Sequence, residues 1–134
     1  MEYSERLLDH FERPRNVGAF AQGDDAVGTG RAGAPGGDAV KLEIKVGADG
    51  AIADTRFRTQ GSPAAIACAS LASEWLKGRS LDAAAALGHA ELADALALPP
   101  ERLHCSILAC DAVRAAVADY RRKHAEGEAA HFVE

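Results

Sequence analysis

The residues best suited to chemistry are three cysteines, Cys68, Cys105 and Cys110, and the histidine that precedes one of them, His104. A thiolate attacks sulfur or binds a metal, and the unpaired N–H groups of a helix start favour that charged form. Cys105 falls near the start of a long helical pattern, so the spacing predicts a thiol inclined to ionise; read from the residues alone, a buried inert cysteine remains the alternative. Its neighbour His104 offers a second donor, but consecutive helix residues diverge by about 100° and need not meet. Cys68 recurs with Leu71, Ala72 and Trp75, and Cys110 with Val113, Val117 and Tyr120; both spacings are those of a buried helix face. Cys105 and Cys110 point about 140° apart on one helix, so they would share a metal only with local unwinding. An odd number of cysteines without framework spacing indicates a reducing compartment, the cytoplasm, and chemistry of thiolates, metals or persulfides rather than bridges.

Elements that could hold these residues follow from the pattern. Ser4 is placed to cap a short helix with Leu7, Leu8 and Phe11 on one face, which Pro14 stops. Recurrent glycine marks 16–38 as loop, with one strand near Val27 to Ala32. Val40, Leu42, Ile44 and Val46 alternate with charged residues as in a half-buried strand, and Asp49-Gly50 turns it into a partner over 52–60. Thr55, Phe57 and Thr59 share a face there, with Ile52 out of phase. Helices are predicted from about Pro63 to Lys77, from Ser80 to Gly88, from Glu91 to Leu96, and from His104 to His124. The tail from 125 to 134 carries no clear pattern. Strands first and helices afterwards make one α+β domain over 1–134, a small three-stranded antiparallel sheet with helices on one face.

The 134 residues carry a net charge of −5, which argues against a nucleic-acid partner. No apolar run reaches spanning length, and Met1-Glu2-Tyr3-Ser4-Glu5 is too acidic for a targeting peptide. Asp38 by itself is an ordinary loop carboxylate. His10, His89, His124 and His131 lack ligand spacing and read as solvated. Gly28, Gly30 and Gly33 are not a dinucleotide fingerprint, because no strand–glycine–helix order surrounds them.

Tyr3-Ser4-Glu5 with Asp9-His10, then Pro14-Arg15-Asn16-Val17-Gly18, Gly33-Ala34-Pro35, Gly37-Asp38, the strand from Lys41 to Val46, Glu74-Trp75-Leu76-Lys77-Gly78 and Leu98-Pro99-Pro100 occur in one order. Together with His104-Cys105-Ser106-Ile107-Leu108-Ala109, they resemble the IscU/NifU-type iron–sulfur scaffold family from about residue 2 to residue 124. The resemblance implies a protein that takes persulfide sulfur from a cysteine desulfurase, builds a 2Fe–2S cluster and passes it to apo proteins with a co-chaperone and heat-shock chaperone. It implies site residues Asp38, His104 and Cys105, with Cys105 accepting sulfur, and a chaperone-binding segment at Leu98, Pro99, Pro100 and Arg102. Arg102 stands where the family pattern has lysine.

The chain departs from the family at two of three cluster cysteines. Pro35-Gly36-Gly37-Asp38 is one residue shorter than the family's Ala-Cys-Gly-Asp stretch and has no thiol, and the second cysteine position is Ser62. Cluster iron favours thiolate ligands, so one thiol, one imidazole and one carboxylate suit a single zinc or ferrous ion better than a cluster, which would be labile, absent or shared between two chains. The chain therefore reads as a scaffold or sulfur acceptor rather than an enzyme, since no third orienting group or oxyanion device can be named. The alternative is an interaction module that binds and regulates desulfurase or chaperone.

Overall fold

A computed structural model describes residues 3–34 and 36–132, with side chains as far as 125. Ser4 caps the first helix, α1 (Glu5–Glu12), its hydroxyl accepting the Leu7 N–H at 3.1 Å and donating to the Leu96 carbonyl at 2.6 Å. Three strands follow: β1 (Val27–Gly33), β2 (Ala39–Val46) and β3 (Ile52–Gln60), antiparallel in the order β1-β2-β3. The remaining elements are helical: α2 (Pro63–Leu76), α3 (Leu81–Ala85), α4 (His89–Leu96), a 3₁₀ turn over Pro100–Arg102, and α5 (Leu103–Phe132).

Alternation places Val40, Leu42 and Ile44 of β2 with Thr55 and Phe57 of β3 on the inner face, all buried against α2 and α5. Ile52 joins them although the simple alternation puts it out of phase. Lys45 pairs with Asp54 but Val46 pairs with Ile52, so Ala53 is bulged out and Ile52 turns back inward to 1% exposure. Alanines at 64, 65, 67, 69 and 72 of α2 and at 109, 112 and 116 of α5 are fully buried, which lets both helices lie close to the sheet. The closest approach is at β1. A Cβ on Gly28 would sit 2.3 Å from the Ala116 carbonyl oxygen, and one on Gly30 2.1 Å from that of Ala112.

Cys68 and Cys110 are buried in this core, as their spacing predicts, and burial pushes the Cys68 thiol up and that of Cys110 up to about 11. Two expectations fail. α5 runs through 125–132 instead of ending at His124, in keeping with the alanine- and glutamate-rich composition there; His131 and the other tail side chains lie outside the described residues. His10 is buried rather than solvated. α1 docks on α2 through Leu7 and His10, leaving Leu8 at 37% exposure, and the His10 Nδ1 lies 2.7 Å from the Ser70 hydroxyl while Nε2 lies 3.5 Å from Glu74. Burial first of all holds its imidazole below the ordinary value. Among the described residues, no helix is long and apolar enough to cross a membrane.

Candidate functional site

Three segments distant in sequence end at one point. Asp38 immediately precedes β2, Ser62 is the N-cap of α2, and His104 and Cys105 lie in the first turn of α5. Gly61 makes the meeting of the first two feasible: its φ is +135°, and a Cβ there would fall 2.0 Å from the Asp38 Oδ1.

Each oxygen of Asp38 has separate partners. Oδ1 accepts the Ser62 backbone N–H at 2.8 Å. Oδ2 lies 2.8 Å from the His104 Nε2 and accepts from the Cys105 thiol at 3.4 Å and the Ser62 hydroxyl at 3.3 Å. The Cys105 Sγ is also 3.6 Å from the Ser62 Oγ and 3.6 Å from the His104 Nε2. One ligand atom each from Asp38, His104 and Cys105 lies within 4.8 Å of the others. Their exposures fall in steps: the His104 side chain is 51% exposed, that of Asp38 12%, and Cys105 is fully buried beneath them.

These contacts set the protonation states. Burial works to raise the Asp38 carboxyl, but the Ser62 N–H and the bonds from His104, Cys105 and Ser62 together hold it below the ordinary carboxylate value. A carboxylate fixed in that way takes the Nε2–H tautomer of His104. Cys105 departs from the expectation of an ionised helix-start thiol. Burial is the largest influence and carries it up to about 11; the Ser62 hydrogen bond opposes this, the Asp38 bond and charge reinforce it, and Arg102 opposes it. The field of a helix start is worth less than a dry site with a carboxylate at 3.4 Å. Cys105 is therefore a protonated hydrogen-bond donor in the apo protein.

The residues that replace the family's other two thiols behave differently from each other. Gly36, with φ +82°, and Gly37, whose N–H bonds to the Ala34 carbonyl at 3.1 Å, form a turn without side chains; Pro35 lies outside the described residues. Ser62 instead points into the site while also capping α2, its Oγ accepting the Ala65 N–H at 3.3 Å. Among the described residues, neither Cys68 nor Cys110 enters a group of metal donors. In the Leu98–Arg102 segment Pro99 is extended, with φ −66° and ψ 153°, and Pro100 begins the 3₁₀ turn. Leu98 packs on the core and Arg102 lies near the thiol whose ionisation it favours.

A three-stranded sheet with a carboxylate, an imidazole and a thiol gathered at the starts of β2 and α5 defines a class that the whole sequence also fits. Residues 2–127 match the NifU-like N-terminal domain family, and the chain belongs to that family. It is 54% identical over 124 residues to the iron-sulfur cluster assembly scaffold protein IscU of Escherichia coli, covering 92% of this chain and 97% of that protein. Iron-sulfur cluster assembly protein 2 of Arabidopsis thaliana is 54% identical over 129 residues, covering 96% of this chain and 79% of that one. The N-terminal part of a NifU-like protein from Brucella abortus superimposes with a TM-score of 0.62 over 90% of this chain and 94% of that one, at 20% identity, a likeness of fold.

Proposed function

We propose that this chain is a scaffold for iron–sulfur cluster assembly, one unit over 1–134, that takes sulfur at Cys105 and holds iron or a labile 2Fe–2S cluster with Asp38, His104 and Cys105. The observation that carries this reading is the convergence of an oxygen, a nitrogen and a sulfur donor within 4.8 Å from separate ends of the chain. Relatives named as scaffold proteins, 54% identical over nearly their whole length, support it.

The donor set limits what is held. A 2Fe–2S cluster has four terminal ligands and favours thiolates, whereas one chain brings a single thiol with a carboxylate, an imidazole and the Ser62 hydroxyl. That set suits one ferrous or zinc ion with water in the open position, so a cluster is labile or takes ligands from two chains. A cation there displaces the thiol proton from Asp38. With the thiol at about 11, each ion bound near neutral pH releases that proton, so zinc affinity is expected to rise about tenfold per pH unit in buffered competition titrations.

Sulfur acceptance uses the same thiol, whose sulfur attacks the outer sulfur of a desulfurase persulfide as its proton leaves. A new S–S bond forms at Cys105 as the donor's own S–S bond breaks, and the departing donor thiolate takes the proton. Mass spectrometry after incubation with a cysteine desulfurase and cysteine is expected to find one added sulfur on the Cys105 peptide and none in Cys105→Ser. Sulfur on Cys68 or Cys110 instead, or on no cysteine, overturns the assignment. Desulfurase binding without sulfur transfer would select the second reading, a regulatory interaction module, which the thiol-free Gly36-Gly37 turn favours. The Leu98–Arg102 segment would engage the co-chaperone and heat-shock chaperone, and apo iron–sulfur proteins would receive the product.

A further inference from the structure

On the outer face of the sheet, the face turned away from the helices, most charges are matched across strands. Glu43 of β2 stands opposite Thr29 of β1 and Arg56 of β3, and its carboxylate accepts the Thr29 hydroxyl at 2.8 Å and the Phe20 N–H at 3.0 Å. Lys45 stands opposite Asp54 and pairs with Asp24 at 3.2 Å. One rung breaks this rule. Arg31, Lys41 and Arg58 are direct cross-strand neighbours, Arg31 opposite Lys41 and Lys41 opposite Arg58, so three cations line up on strands about 4.8 Å apart.

None of the three has an ion pair or side-chain hydrogen bond among the described residues. The carboxylates that line a concavity together with the row are committed elsewhere: Glu43 and Asp24 as above, and Asp119 to the Thr29 N–H at 2.9 Å and to Arg122 and Lys123. Like charges directly opposite each other in a sheet destabilise it, and among the described residues no ion pair or side-chain hydrogen bond offsets that cost. The row also borders a concavity of about 510 Å³ that extends past Gly33 and Ala39 to Gln60. That volume lies in the range of small-molecule sites.

We propose that the Arg31–Lys41–Arg58 row is a binding site for a small multivalent anion, one carrying two or more carboxylate or phosphoryl groups. A pair of guanidinium groups flanking an ammonium can hold two such groups at once, the arginines through paired N–H donors and the lysine as a point charge. The site is separate from Asp38, His104 and Cys105, and does not depend on the metal or sulfur chemistry assigned there. An acidic protein segment is a different ligand, and the volume of the concavity favours the small one.

The test uses pyrophosphate and citrate as probes, titrated into the full-length apo protein at low salt and followed by amide shifts and calorimetry. Saturable binding is expected below about 1 mM, with shifts centred on residues 31, 41 and 58–60 and weakening steeply with salt. The double variant Arg31→Gln/Arg58→Gln is expected to lose at least tenfold in affinity while keeping the wild-type amide spectrum elsewhere. Arg114→Gln, a charge change on the outside of α5, is expected to leave binding unchanged. Lys41→Gln supplies a second readout: it should lose affinity yet melt no lower than wild type, because it relieves repulsion. Shifts spread evenly over every cationic surface, an unchanged affinity in the double variant, or binding only of acidic peptides would each overturn the proposal.

Discussion

Replacing Ser62 by cysteine is expected to raise zinc affinity by at least about a hundredfold, the upper end of what outer-shell partners alone contribute. The position is already aimed at the site, with its Oγ 3.6 Å from the Cys105 Sγ and 3.3 Å from the Asp38 Oδ2. Two sulfurs on one tetrahedral zinc, each about 2.3 Å from the metal, stand about 3.8 Å apart, so the backbone need not move. A second thiolate then replaces a hydroxyl that resists deprotonation near neutral pH. The same substitution removes the α2 cap bond to the Ala65 N–H, which costs about 1 kcal/mol. Ser62→Cys should thus melt lower than wild type without zinc and higher with it. Competition against a chromophoric chelator, with melting curves in both states, measures the effect; an affinity equal to wild type would mean that the Ser62 side chain does not face a bound ion.

Gly30→Ala is expected to cost about 3 kcal/mol or more, enough to leave much of the protein unfolded at physiological temperature. The added carbon would lie 2.1 Å from the Ala112 carbonyl oxygen and 2.4 Å from the Ala116 backbone nitrogen, both in the middle of α5. Backbone atoms inside a helix cannot step aside individually, so α5 must move off β1 as a unit. That shift would carry Cys105 away from Asp38, and metal affinity should fall together with the melting temperature. Gly50→Ala is the contrasting case, since nothing lies within 4 Å of a Cβ there and only its φ of +85° is strained. Urea unfolding of the two variants separates close approach from backbone strain; equal losses would contradict the packing account.

That glycine also marks where the sequence stops being legible. Gly28 and Gly30 fall inside the strand expected near Val27 to Ala32, but nothing along the chain says why they are glycine, because what requires them is a helix more than 80 residues further on. β2 was plain from its own alternation, since a strand's two faces are written locally. Ile52 was not, because a bulge belongs to the pairing of two strands and only the shift from Lys45–Asp54 to Val46–Ile52 displays it. The burial of His10 is hidden for a similar reason: its partners Ser70 and Glu74 lie on another helix. In the site, the cysteine core faces followed from helical spacing, whereas Asp38 and His104, 66 residues apart, came together only through the family resemblance. The state of Cys105 was out of reach of spacing altogether. A helix start favours the thiolate, yet burial and the Asp38 carboxylate outweigh it, and both depend on the fold.

Cys105, with Asp38 and His104, is proposed to carry the working chemistry although the chain lacks the family's other two thiols. The most direct test is anaerobic reconstitution with ferrous iron, cysteine and a cysteine desulfurase, followed by desalting and a count of iron and acid-labile sulfide per chain, wild type beside Cys105→Ser. Wild type is expected to retain iron and sulfide together and to lose both readily to a chelator, and Cys105→Ser to retain neither. Iron and sulfide absent from wild type, or retained equally by Cys105→Ser, would contradict that role.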